Sequence, residues 1–252
     1  LITGKKNFHA IGKMTLQVGM DRAGMWWMTT DIFIRSYRND FKWLEYCLKS
    51  CHQKARGFGR IHIAVPHQDF EVMPKVSGEE VHLVVDSCNG YLAQQITKLH
   101  ADEFCNADYI LHVDSDCVWT QDVEPSMFFS NGKPIILRED GVESPWKDIS
   151  AVSLGWRDEY EYMRRLPIIY PRHLYAPFRA WMERQHGMSI DAWIASQPEN
   201  RFSEFNTFGQ WLYRFHPDEF EWKHPSEVPS YMRQFWSWGG LDAVAEEINS
   251  LV

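Results

Sequence analysis

The chain has 252 residues, with 26 Lys+Arg against 34 Asp+Glu for a formal charge of −8, and is 44% hydrophobic, 15% aromatic and 24% charged. This composition carries a large core and excludes disordered and fibrous classes, and the acidity disfavours duplex nucleic acid as a partner. No run nears the ~18 apolar residues of a membrane span, Leu1–Lys6 shows no secretory leader, and five cysteines without a Cys-x-x-Cys spacing read as reduced thiols, so a cytoplasmic location is expected.

Residues 1–30, with Gly4, Gly12, Gly19 and Gly24 and no clear period, read as an N-terminal extension that could fold as a hairpin. A strand is predicted over 31–36, and apolar residues at 41, 44, 47, 48 and 51 predict a helix over 41–54. On that helix Cys47 and Cys51, followed by His52, read as a buried face rather than half of a metal site. Strands follow at 60–65, ending at Pro66, and at 81–85, ending in Asp86 and the turn Cys88-Asn89-Gly90. A helix over 91–105, a strand over 109–113 and a strand over 134–137 complete the first part. Strands alternating with helices at these spacings predict an α/β fold with a mostly parallel sheet covered on both faces.

Beyond about residue 141 the composition shifts to Trp, Tyr, Arg and Pro, with helices predicted over 157–165, 172–186, 189–196 and 203–215. No linker or repeat marks a boundary, so 31–140 and 141–252 read as two lobes of one domain. Residues 157–184 hold six arginines against four acids, a local positive excess that would suit an acidic or phosphorylated acceptor.

Asp114-Ser115-Asp116 directly follows the apolar Tyr109-Ile-Leu-His-Val113, so both carboxylates emerge at the carboxyl end of a buried strand, where open α/β sheets bind ligands. If the strand's alternation persists, Asp114 and Asp116 point to one side and Ser115 to the other. Two hard oxygen donors suit Mg²⁺ or Mn²⁺, which would also take phosphate oxygens. The plainer reading is a polar turn capping a strand.

This order of elements, with Tyr-Ile-Leu-His-Val-Asp-Ser-Asp, resembles the nucleotide-diphospho-sugar transferase fold of metal-dependent glycosyltransferases, the GT-A type. Gly90-Tyr91-x-x-Gln94-Gln95-x-x-Lys98-Leu99 and Phe202-Ser-Glu-Phe-Asn-Thr-Phe-Gly209 are similar to motifs of a poorly characterised bacterial glycosyltransferase-like family. The resemblance covers about residues 31–222 and implies sugar transfer from a nucleotide-diphosphate sugar, a UDP-sugar first among them, to an acceptor hydroxyl. It implies base and ribose contacts at Arg35, Ser36, Tyr37, Asp86 and, less directly, Asp40. Residues 141–252 would then bind the acceptor. A glycan is the favoured acceptor, and a nucleic-acid acceptor stays open.

Gln94, Gln95 and Lys98, three or four residues apart, share a helix face that would turn toward the diphosphate or else simply face solvent. Ser203 reads as the cap of the 203–215 helix, which places Glu204 in its first turn as a base for in-line, inverting displacement, or as a complement to the helix dipole. Glu199 and Asp191 are the other candidates for the base, and Phe208 stands where the family motif leads us to expect Tyr. His224, with His216 as the lesser choice, is the expected third metal ligand. The Trp-rich C-terminal part suggests an acceptor groove, with 235–240 as a cover hinged at its glycines, although most of the tryptophans are expected in the core.

Three other readings compete. The same Asp-x-Asp matches the aspartyl-phosphate motif of haloacid-dehalogenase-like phosphohydrolases, but that motif belongs on the first strand of its core. A nucleotidyltransferase would carry a Gly-rich loop after the first strand, which Arg35-Ser-Tyr-Arg-Asn39 is not. A non-catalytic carbohydrate-binding protein explains the tryptophans but leaves the Asp pair and Glu204 idle.

Overall fold

All six residues of β1 (Thr30–Arg35) are buried, as a strand covered on both faces requires. A computed structural model describes residues 28–252, so the expected extension lies outside the described residues except for its last three positions. α1 (Phe41–Lys54) lays Phe41, Trp43, Leu44, Cys47, Leu48 and Cys51 against the interior, and each large apolar side chain so buried contributes about 1.5–3 kcal/mol. β2 (Ile61–Pro66) and β3 (Glu80–Val84) follow, and Asn89 then caps α2 (Gly90–Leu99) by accepting the Tyr91 N–H at 2.8 Å. The helix expected over 91–105 breaks at His100, and its remainder is the single turn α3 (Ala101–Phe104).

β4 (Tyr109–Asp114) is the strand that carries the Asp pair, and the chain turns at Ser115–Asp116 before the short β5 (Cys117–Trp119). The strand alternation expected through Asp116 therefore stops at Asp114. β6 (Phe129–Ser130) and β7 (Lys133–Leu137) form a small hairpin. α4 (Pro145–Leu154) comes next, with the Ser144 hydroxyl accepting from Trp146, Pro145 in the first turn and Gly155 closing it at φ +80°.

The helix expected over 157–165 is absent. That stretch is extended and irregular, bridged to Glu139 through Glu161, and Leu166 precedes Pro167, where helical backbone is disfavoured. β8 (Ile168–Pro171), α5 (Tyr175–His186), α6 (Ile190–Ala195) and α7 (Glu204–Phe215) follow, then β9 (Glu221–Lys223), β10 (Met232–Gln234) and α8 (Ala245–Leu251).

The central sheet has the order β3-β2-β1-β4-β8, with β8 the one antiparallel member. The fold is thus a mixed α/β structure whose parallel-rich sheet is flanked by helices. β8 pairs Ile168 with His112, and β9 and β10 pair with β7 and β5, so residues beyond 140 complete sheets begun before it. No helix among the described residues is long and apolar enough to cross a membrane.

Two close approaches fix the packing. A Cβ at Gly209 of α7 would stand 2.6 Å from Cβ of Tyr162. At the amino edge of the sheet Asp31 accepts the N–H groups of Arg60 at 2.8 Å and Ala107 at 3.3 Å, and a Cβ at Gly59 would lie 2.3 Å from Asp31 Oδ1.

Candidate functional site

The carboxyl ends of β1 and β4 are register partners, Arg35 opposite Asp114, so one edge of the sheet presents a cation and an anion side by side. Two adjoining clefts open there. One of about 640 Å³ is lined by Arg35, Ser36, Tyr37, Arg38, Asp69, Asp86 and Glu199, among others. The other, about 570 Å³, is lined by Gln95, Lys98, Asp114, Ser115, Asp116 and Glu204, and Arg35, Tyr37, Tyr91 and Gln94 border both.

In the first cleft, buried Arg35 donates through Nη2 to Asp86 Oδ1 at 2.7 Å and through Nη1 to the Ser36 carbonyl. Burial lowers the Arg35 pKa, against the pull of Asp86, while its Nε stays buried without a partner. Asp69 accepts the backbone N–H of Arg38 at 3.0 Å and its Nε at 2.5 Å, which freezes the turn after β1 and leaves Tyr37 exposed on the cleft wall.

The second cleft is organised by Lys98. The side chain is only 6% exposed, and Nζ lies 2.7 Å from Asp114 Oδ1, 3.1 Å from Glu204 Oε1 and 5.0 Å from the centre of the Phe205 ring. Burial disfavours its charge, but Asp114 and then Glu204 outweigh that and push the ammonium pKa up. Gln95 accepts the Glu204 N–H at 3.0 Å, so α7 is capped by a side chain of α2. Ser203 occupies the cap position as expected, but its side chain makes no cap bond and its hydroxyl accepts from Asn206 at 3.0 Å instead. Asn206 Oδ1 in turn accepts the N–H groups of Tyr162 at 2.8 Å and Met163 at 3.2 Å, which sets the irregular 157–165 strap against α7.

Asp116 sits on the turn after β4. Burial and then the charge of Asp114 push its pKa up to about 6, opposed by the Ser237 N–H. Gln234 Nε2 donates to Oδ1 at 3.3 Å and Ser237 N–H to Oδ2 at 3.0 Å, contacts that the β5–β10 pairing delivers. Asp40 joins the group, its pKa raised by burial and its Oδ2 accepting from Ser115 at 3.4 Å. Ser115 lines the same cleft as its two neighbours rather than the opposite side.

The structure thus brings Arg35, Ser36, Tyr37, Asp86, Gln95, Lys98, Asp114, Asp116 and Glu204 to one edge. It does not bring His224 there: its Nδ1 lies 2.8 Å from Ser226 Oγ and its Nε2 3.6 Å from Glu139 Oε1, because the chain turns away after β9. His216 is paired with Glu219 at 2.8 Å. Asp191 is held by His100 at 2.8 Å, while Glu199 lies on the first cleft. The arginine excess of 157–184 is largely spent internally: Arg157 pairs with Asp148, Arg164 with Glu139 and Glu161, Arg179 with Asp102, and Arg165 with backbone carbonyls. Phe208 is packed against Tyr170, Tyr175 and Phe178, a setting in which a phenol would need a buried partner.

Gln234 was not identifiable from the sequence, and Ser237 fell within the expected 235–240 cover without a link to Asp116, because only a strand pairing of high sequence separation brings both to that carboxylate. Tyr91 was legible as part of a motif, and its hydroxyl donates to the Phe202 carbonyl at 3.1 Å, which joins the two motifs. Trp146, Trp236 and Trp238 line the second cleft, while Trp43, Trp119 and Trp211 belong to the core.

The family model described as "Family of unknown function (DUF6492)" matches residues 29–230, and the chain belongs to that family. No curated protein matches it.

Proposed function

We propose that the protein is a metal-dependent glycosyltransferase of GT-A type, transferring a sugar from a nucleotide-diphosphate sugar to an acceptor hydroxyl. The observation that carries this reading is the buried Lys98, bridging Asp114 and Glu204 where a nucleoside-sized cleft meets a second, aromatic-walled one. Base and ribose would lie against Arg35, Tyr37 and Asp86, and the diphosphate beside Asp114 and Lys98. Lys98 supplies a fixed cation to the charge that develops on the leaving diphosphate, so little reorganisation is needed at the reacting centre.

The donor chemistry suits a hard divalent ion: Asp114 and Asp116 offer oxygen donors only, with Asp40 beside them, and burial raises the pKa of Asp40 and, with the charge of Asp114 next, that of Asp116. Asp114 and Asp116 would hold Mn²⁺ or Mg²⁺. When bound, the ion neutralises the diphosphate and favours its departure. Glu204 presents a carboxylate to the second cleft, where it would accept the proton of the attacking hydroxyl as the new glycosidic bond forms on the face opposite the leaving group, giving inversion. Trp146, Trp236 and Trp238 suit the C–H faces of a glycan acceptor. Five unpaired cysteines accord with a cytoplasmic setting.

The test is calorimetric titration of UDP, then GDP and CDP, into metal-stripped protein with and without Mn²⁺, repeated on Asp116→Ala. Binding that needs both Mn²⁺ and Asp116 is expected. No nucleotide binding in any combination overturns the reading and brings the phosphohydrolase and carbohydrate-binding alternatives forward.

A further inference from the structure

At the opposite, amino edge of the sheet, three strands place a second set of metal-competent side chains on one face. His62 of β2 is the register partner of Glu80 of β3, and His82 lies two residues further along β3. His62 Nδ1 is 2.9 Å from His82 Nε2 and 3.5 Å from Glu80 Oε2. On its other side His62 Nε2 donates to Asp31 Oδ2 at 3.1 Å. With Nε2 turned to the Asp31 carboxylate, Nδ1 is the ring nitrogen that faces His82 and Glu80 and is free to serve as a ligand atom.

We propose that His62 Nδ1, His82 Nε2 and Glu80 form a Zn²⁺ site, with water as the fourth ligand and Asp31 orienting His62 from behind. Two neutral imidazoles and a carboxylate are a donor set suited to zinc, and a carboxylate on the far nitrogen of a ligating histidine is its usual support. Two nitrogens on one tetrahedral ion stand about 3.3 Å apart, so the pair must open by only a few tenths of an ångström, within the reach of small side-chain rotations. His82 must shift its proton from Nε2 to Nδ1, and no net proton is released.

A second grouping, Asp31, His62 and Cys105, is also close enough to share an ion. It is the weaker choice. All three are buried, Asp31 already accepts from Arg60, Ala107 and His62, and burial pushes the Cys105 thiol pKa up, away from the thiolate that zinc requires. Glu80, by contrast, is 35% exposed, which gives an ion a way in, and Arg60 engages its Oε1 while Oε2 faces His62. Phe104 covers the His82 ring from α3 at 5.0 Å. The ion would clip β3, the edge strand, to β2. This site is independent of the proposed sugar transfer.

The experiment is thermal unfolding and Zn²⁺ titration of the chelator-stripped full chain, compared with His82→Ala, Glu80→Gln and Asp116→Asn. Zn²⁺ is expected to raise the midpoint of the wild type and of Asp116→Asn; with His82→Ala and Glu80→Gln made in that Asp116→Asn background, where the cleft carboxylate pair is broken, it is expected to leave the first unmoved and to bind the second at least tenfold more weakly. Co²⁺ should show the visible absorption of a tetrahedral ion on the wild type and lose it on Glu80→Gln, which carries the test if His82→Ala fails to fold. No zinc response in the wild type, or an equal response in the wild type and the ligand variants, overturns the site.

Discussion

Lys98 of α2 and Glu204 of α7 meet at 3.1 Å, and the same ammonium holds Asp114 of β4 at 2.7 Å, so one buried cation joins α2 and β4 to an element about a hundred residues further along the chain. Replacing Lys98 by Met leaves two largely buried carboxylates on the cleft wall without their partner. Removing one side of a buried ion pair costs about 3 kcal/mol, and urea unfolding at pH 7 should show a loss of that order. A loss under about 1 kcal/mol would mean that water replaces the ammonium freely.

Glu204→Gln keeps an oxygen for Lys98 but removes the proposed proton acceptor. The turnover number is expected to fall by about 10²–10⁴-fold, with the affinity for UDP and Mn²⁺ little changed. Transfer assays beside calorimetry decide it. Activity within a few-fold of wild type would move the base to another carboxylate, with Glu199 of the adjoining cleft the first to test.

His112 gives the fold an acid sensitivity of known sign. Burial, then Lys98, pushes its pKa down to about 3, whereas in the unfolded chain it titrates near ~6.5. The unfolded state therefore takes up the proton first as pH falls. The contribution is intact above about 6.5 and is lost progressively between about 6.5 and 3, at up to ~1.4 kcal/mol per pH unit. Urea unfolding at pH 7, 6 and 5 should show a shallower decline for His112→Gln than for wild type.

Gly209→Ala should destabilise although alanine is the better helix former by about 1 kcal/mol. The added methyl meets Tyr162 at 2.6 Å, and overpacking of this kind costs about 1–3 kcal/mol. The midpoint of thermal unfolding is the readout, and a rise would show that the 157–165 strap yields.

Much of this architecture was legible in the sequence. The first four strands, α1, and the position of Asp114 at the carboxyl end of β4 follow from local periodicity and from residues at the ends of apolar runs, whereas the turn of Lys98 toward Asp114 was one of two readings left open. β8 was not read, because Ile168–Pro171 is short and bounded by Pro167 and Pro171, and its pairing with β4 is decided by tertiary packing. The expected 157–165 helix failed for a related reason: Tyr160 and Tyr162 turn into an aromatic cluster with Tyr213 and Trp222, and Asn206 takes the backbone N–H groups of Tyr162 and Met163. Conversely, the helix over Pro145–Leu154 was announced by Ser144-Pro145 and by Gly155, signals outweighed by the change in composition there. For the His62–His82 pair, alternation gives the face, but the strand register that brings the rings together is a property of the assembled sheet.

The Asp31 junction has a consequence for anyone mapping this protein by mutational scanning. Asp31 and Gly59 lie at the end of the sheet away from Glu204, yet one ties β1 to the Arg60 and Ala107 backbone and the other has no room for a methyl group. In a growth or activity selection both positions would score as intolerant as the cleft carboxylates. The two kinds of intolerance separate only when cellular abundance is measured alongside activity: variants at the amino edge would vanish from the soluble pool, while Glu204→Gln, on the proposed role, would accumulate and lose most of the proposed activity.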